Sequence, residues 1–206
     1  MVIAGDQIGR RFLKDTDEYL AANWKSITCD DMANLYYRFF CDLKDYKGNA
    51  NGFTGLSEYL LFRTLIHRFG GGFERIPVTQ DLFEFQKGGL VLGQSTPVII
   101  GGKKYYPDIV VRVDEKLVAI IQVKVYLTNG RKEIDKEVET LHRIREKHPD
   151  VQCNLVIFGA ISPNSAMASH LAQQGKEVDG FHSLVLRGNH NLLSEELDKW
   201  LPVSIL

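Results

Sequence analysis

The sequence predicts an α/β fold: a helix, a three-strand meander, a second helix and a further strand, with extra helices at the N-terminus. Three observations carry this expectation. Residues 55–69 are apolar almost all round and end at Gly70-Gly71-Gly72, as a buried helix with a sharp stop would. Residues 108–113 and 117–127 are rich in β-branched residues and are separated by the polar Asp114-Glu115-Lys116. Residues 129–147 carry Ile134, Val138, Leu141 and Ile144 at helical spacing and are followed by a short apolar run at 153–158.

The elements follow in order. Residues 7–46 read as helical, with Leu13, Leu20 and Trp24 on one side of a first stretch. Asp30 or Asp31 is the expected cap of a second stretch, whose Leu35, Tyr36, Phe39, Phe40 and Leu43 are expected to pack into a core. The turn-forming residues 47–52 mark a boundary, giving an N-terminal helical extension at 1–50 and a core with a C-terminal α/β addition at 51–206. Thr54 is the expected N-cap of the apolar helix. Strands are expected on both sides of Gly88-Gly89, and Val98-Ile99-Ile100 leads into a Gly101-Gly102 turn as the first meander strand. Beyond the second core helix come a helix at 165–174, a strand at 183–186 and a last helix capped by Ser194 with Leu197 and Trp200 turned inward.

Composition sets limits on function. The chain has 206 residues, of which 44% are hydrophobic and 25% charged, enough to bury a core and too apolar for intrinsic disorder. A net charge of -1 gives no bulk attraction to phosphate, so a nucleic-acid site would depend on a local basic patch or a bound cation. The three cysteines, Cys29, Cys41 and Cys153, form no CxxC pair, which argues against a structural zinc site and a disulfide framework. No apolar run reaches the roughly 18 residues of a membrane span, and a cytoplasmic location is expected. P-loop, Rossmann and nucleophile-elbow patterns are absent from the sequence.

The chemistry concentrates on the hairpin. With Asp114-Glu115-Lys116 as a three-residue loop, Val113 opposes Leu117 and Asp108 opposes Gln122. Lys124, two residues further, shares that face. A two-residue loop would shift the register and scatter the three. A carboxylate, an amide and an ammonium on one surface suit metal-assisted phosphodiester hydrolysis: Asp108 and Gln122 offer oxygen ligands, and Lys124 can hold a water or offset charge. Glu58 lies in the first turns of the apolar helix, on the face of Leu61, Phe62 and Leu65, where a carboxylate needs a partner or a cation. Pairing with Arg63 or Arg75 is the alternative for it. Lys103, Lys104, Arg131 and Lys132 are candidate phosphate contacts near the strand ends. For His142, Arg143, Arg145 and Lys147, further down the second core helix, an ordinary solvated face is expected, since Glu133, Glu137, Glu139 and Glu146 alternate with the basic residues.

Tyr106-Pro107-Asp108 followed by Gln122-Val123-Lys124 resembles the PD-(D/E)xK superfamily, which includes many restriction endonucleases. The resemblance covers roughly residues 53–160. It implies a restriction endonuclease-like core, with Asp108 starting the second strand, Gln122 and Lys124 on the third, and Glu58 on the first core helix. It also implies a hydrolase acting on phosphodiester bonds, a deoxyribonuclease of restriction or defence type. Its cofactor would be Mg²⁺ or Mn²⁺ held by Asp108, Gln122 and Glu58, and its partner DNA. A homodimer is common among nucleases that cut both strands. Gln122 departs from the usual acid, although some branches, including the Mrr-like nucleases, use Gln-x-Lys. The loss of one negative charge keeps open a degenerate module that binds nucleic acid or protein without cutting.

Overall fold

The computed structural model describes residues 3–45, 55–80 and 82–201. It is a mixed α/β structure with six helices and nine strands among the described residues. The N-terminal helices are α1 (Ile3–Asn23) and α2 (Cys29–Asp45), followed by α3 (Leu56–Arg68). Strands β1 (Glu74–Pro77), β2 (Phe83–Lys87) and β3 (Leu90–Gln94) come next, then the small hairpin β4 (Val98–Ile100) and β5 (Lys103–Tyr105). The chain continues with β6 (Ile109–Val113), β7 (Lys116–Lys124), α4 (Arg131–Arg145), β8 (Gln152–Ile157), α5 (Ala166–Glu177), β9 (Phe181–Val185) and α6 (Leu193–Asp198). The main sheet has seven strands in the order β1-β2-β3-β6-β7-β8-β9. It is antiparallel as far as β7, and parallel from β7 to β9. The parallel crossovers are made by α4 and α5, as parallel pairing requires.

Two expectations about the meander are corrected. Residues 98–100 do not supply its first strand: they pair with β5 in a separate two-stranded sheet, and β3 is the strand that precedes β6. The β6–β7 turn is also shorter than expected. Lys116 is already in the strand and pairs with Val113, so the loop is Asp114-Glu115, both at positive φ (47° and 67°). Such a pair of left-handed residues is the pattern of a type I′ turn, whose twist suits a two-residue hairpin. A bulge between Val111 and Arg112 then restores the register, and Ile109 opposes Ile121. One residue further on, Asp108 falls opposite Gln122. The shorter loop and the bulge cancel, which is why the pairing expected at the site end of the hairpin holds. Glutamate is costly at the second turn position, and glycine is at home there. Glu115→Gly is therefore expected to raise the unfolding free energy by about 1 kcal/mol, measurable by urea unfolding.

The sheet is covered on both faces. Leu92, Ile109, Val111, Ala119, Ile121, Val123 and Val156 face a core shared with α1, α2, α3 and α6. Val110, Leu117, Ile120, Cys153, Leu155 and Ile157 face α4 and α5, where Ile134, Val138, Leu141 and Ile144 are buried as the helical stripe predicts. Tyr36 and Phe39 of α2 are buried in the first core, and the Tyr36 ring lies 5.5 Å from Phe158. Asp17 ties α1 to α3 through Arg63 at 2.6 Å and His67 at 2.8 Å. Those bonds outweigh the burial that opposes ionisation and hold the Asp17 carboxyl below its usual range.

Three local expectations change or pass out of view. The cap of α2 is Thr28, not Asp30 or Asp31: its hydroxyl accepts from the Asp31 N–H while the Asp31 carboxylate accepts from the Thr28 N–H. Leu192 precedes α6 as its N-cap, leaving Ser194 inside the helix, although Leu197 and Trp200 are buried as expected. Thr54 and the boundary at 47–52 lie outside the described residues.

Candidate functional site

Three elements meet at one end of the β6–β7 pair. Asp108 stands immediately before β6, Gln122 and Lys124 are at the end of β7, and Glu58 is in the first turn of α3. Alternation along the strands sets the directions. Ile109, Ile121 and Val123 face α3, so Gln122 and Lys124 face α4, and Asp108 belongs to the same face by register. The three hairpin residues of the sequence reading are therefore brought together on one surface.

Asp108 is anchored by its own neighbours. One carboxylate oxygen accepts from the Val123 N–H at 2.6 Å, leaving the other free to act as a ligand. Burial pushes the Asp108 carboxyl above its usual range, against the pull of the Val123 N–H and the Lys124 charge. Glu58 is likewise pushed up, first by burial and then by the negative charge of Asp108, while a hydrogen bond from Gln94 and the Lys124 ammonium work the other way. Glu58, at the start of α3, is thus close enough to feel the Asp108 charge. Its alternative partner Arg63 is held by Asp17 instead. Gln122 is only 9% exposed.

The expectation of a solvated α4 face fails at Glu137. This residue is buried, and its carboxylate lies 3.6 Å from the Lys124 ammonium. Burial raises its carboxyl most, Lys124 opposes that shift, and the Asp108 charge adds to it. Two signals in the sequence bear on the position. Glu137 precedes Val138 and follows Ile134 by three residues, on the flank of the apolar stripe rather than opposite it. Helix periodicity alone could have found it, but the surrounding alternation of charges masked it. A cavity of about 290 Å³ opens beside the pair, lined by Lys124, Asn129, Lys132, Glu133, Lys136 and Glu137. Of the four candidate phosphate contacts, Lys132 thus reaches the neighbourhood of Lys124. Lys103, Lys104 and Arg131 are exposed at the β4–β5 hairpin and the start of α4.

Two carboxylates and an amide oxygen form a hard-oxygen donor set of the kind that suits Mg²⁺ or Mn²⁺, with an ammonium beside it for the substrate or water. The raised carboxyls fit that chemistry, because negative charges crowded in a poorly solvated place gain from a cation. Among the described residues, no three His, Cys, Asp or Glu side chains are grouped to hold a metal ion, so an amide or a substrate oxygen would have to complete the shell.

The raised carboxyls make a stability prediction. A carboxyl whose folded pKa exceeds its unfolded value binds more protons in the folded state, so its contribution to stability falls as pH rises through the window above the ordinary values of 3.8 for Asp and 4.5 for Glu. Asp108→Asn removes one such charge and relieves Glu58 and Glu137. The metal-free variant is expected to melt higher than wild type at neutral pH, by about 2–4 °C. The difference should shrink towards pH 4, as scanning calorimetry across pH would record.

Among the described residues, no helix is long and apolar enough to cross a membrane. Compared with models of known protein families and with curated proteins, the chain matches none.

Proposed function

We propose that the chain is a metal-dependent nuclease with a restriction endonuclease-like core, hydrolysing phosphodiester bonds, most naturally in DNA. The observation that carries this reading is the convergence of Asp108, Glu58 and Lys124 at one end of the β6–β7 pair, with both acids held above their usual pKa range by burial and Glu58 also by the Asp108 charge. Around them, α3, the β3–β6–β7 strands, α4 and β8 follow the order expected of such a core.

The residues divide the work as follows. Asp108, Glu58 and the Gln122 side-chain oxygen would hold the cation, and Asp108 is kept in place by the Val123 N–H. A Mg²⁺ or Mn²⁺ there would polarise the phosphate and lower the pKa of a water. Lys124 brings a positive charge to the same surface, where it can hold the attacking water by hydrogen bonding and offset the charge that builds on the phosphate oxygens. Glu137, 3.6 Å from the ammonium, limits where that charge can swing. Gln122 in place of an acid weakens the hold on the cation and favours a second reading, a module that binds nucleic acid without cutting. Incubating the protein with plasmid, linear duplex and single-stranded substrates in Mg²⁺ and in Mn²⁺ tests the choice. Strand scission that EDTA stops is expected, and no scission of any substrate in either metal would leave the binding reading.

A further inference from the structure

We propose that the cavity under β1–β3 is a subsite for one unpaired nucleotide flanking the phosphate attacked at the Asp108 site. The inference rests on the nuclease reading for what lies next door, but not for its own chemistry. The cavity has a volume of about 540 Å³ and is lined by Arg75, Leu82, Phe83, Phe85, Gln94 and Ser95. That is within the range of small-molecule sites and ample for a base with its sugar.

Two of the lining residues reach the two acids of the site. Gln94 favours the ionised Glu58 carboxyl, and the Ser95 N–H donates to the Asp108 carbonyl at 3.0 Å. β3 ends there, and Ser95 takes a positive φ of 52°, a conformation that a serine adopts at some cost and that turns the chain between cavity and site. A ligand in the cavity is therefore separated from the acids by one layer of side chain.

The walls suit a base and a phosphate together. Arg75 pairs across the strands with Phe85, and Pro77 with Phe83, so Arg75, Phe83 and Phe85 look out from one face of the sheet. Phe85 is fixed edge-on against Phe62, with ring centres 5.2 Å apart. Phe83 is half-buried, and the Arg75 guanidinium lies 3.4 Å from its ring centre. Arg75 is exposed and makes no ion pair among the described residues. The acids of these two strands, Glu74 and Glu84, alternate to the opposite face, and Glu84 is paired with Arg112. Stacked on Phe83 and without an ion pair among the described residues, the Arg75 guanidinium offers its outer face to a base and its charge to a phosphate. Inside a duplex both faces of a base are covered by stacked neighbours, so the ligand is a nucleotide outside a duplex, in single-stranded DNA or RNA.

Short oligonucleotides carrying 2-aminopurine at successive positions provide the test, with Ca²⁺ in place of Mg²⁺ so that binding is read without turnover. For wild type, the emission of one position should be quenched by stacking when the strand binds. Phe83→Leu, which keeps apolar volume without a ring, should abolish the quench and weaken single-strand binding about tenfold. Arg75→Ala should weaken it by a similar factor, and Phe83→Trp should preserve the quench and so show that the position tolerates change. A blunt duplex should be bound equally by all four proteins. DNA and RNA strands run in parallel tell which sugar is preferred. Unchanged single-strand affinity in Phe83→Leu and Arg75→Ala, or no quench at any position, overturns the subsite even if the wild type cuts DNA. Conversely, if Mg²⁺ elicits no cleavage but the ring-dependent quench persists, the nuclease reading fails and the subsite stands.

Discussion

Lys124→Ala and Asp108→Ala should each reduce strand scission by about 10²–10³-fold or more while the fold persists. The two changes remove different things. Asp108 supplies the charged ligand that the Val123 N–H holds in place, so without it both cation and phosphate lose their anchor. Lys124 supplies a side-chain cation that the site acids share: Glu58, Asp108 and Glu137 are all drawn back towards ionisation by it. Neither side chain is part of the apolar core. Lys124 is one-third exposed, and Asp108 sits at the strand's start, so circular dichroism and the cooperative unfolding transition should remain close to wild type. Gln122→Glu provides the contrast. It adds a third carboxylate to Asp108 and Glu58, and the Mg²⁺ concentration giving half-maximal cleavage should fall. Cleavage by Lys124→Ala at the wild-type rate would mean that the site lies elsewhere on the molecule, whatever the protein cuts.

The hairpin explains both what was legible in the sequence and what was not. β-branched runs on either side of Asp114-Glu115-Lys116 announced two strands, and alternation placed Gln122 and Lys124 together whatever the turn. The turn itself was misjudged, because Asp and Glu at positive φ leave little composition signal, unlike Asn-Gly. The bulge was equally hidden: Leu117 and Ile120 both face α4 although three residues apart, a pattern that reads as irregular before the bulge is known. Helices α3 and α4 were readable from their apolar residues, buried where expected. The strand before β6 was not, because Val98-Ile99-Ile100 is more β-like in composition than the true neighbour Leu90–Gln94, which includes Gly93. Gly93 is needed there: a side chain would meet the Thr96 hydroxyl at 2.3 Å. Glu137 was lost for an electrostatic reason. Its place on the flank of the apolar stripe was hidden among alternating charges, and its partner Lys124 arrives from a different element.

Glu137 therefore makes the most discriminating prediction. Its carboxylate, 10% exposed and 3.6 Å from the Lys124 ammonium, can act in either of two ways. As an anchor, it holds the ammonium in the orientation from which water and phosphate are addressed. As a further oxygen ligand, it would make up for the charge missing at Gln122. The geometry favours the anchor, since the carboxylate faces a cation already present and, among the described residues, joins no group of three or more potential metal ligands. Glu137→Ala should then lower kcat by about 10–100-fold, because a flexible ammonium spends little time where it is needed. KM and the half-saturating Mg²⁺ concentration should change little. Glu137→Gln keeps an oxygen acceptor for the ammonium without the charge and should recover much of the lost kcat. Stability should hold, since the substitution removes a carboxyl that burial already disfavours in its ionised form. A rise of tenfold or more in the Mg²⁺ requirement of both variants, with kcat restored at saturating metal, would instead assign Glu137 to the cation and make it the acid that Gln122 lacks.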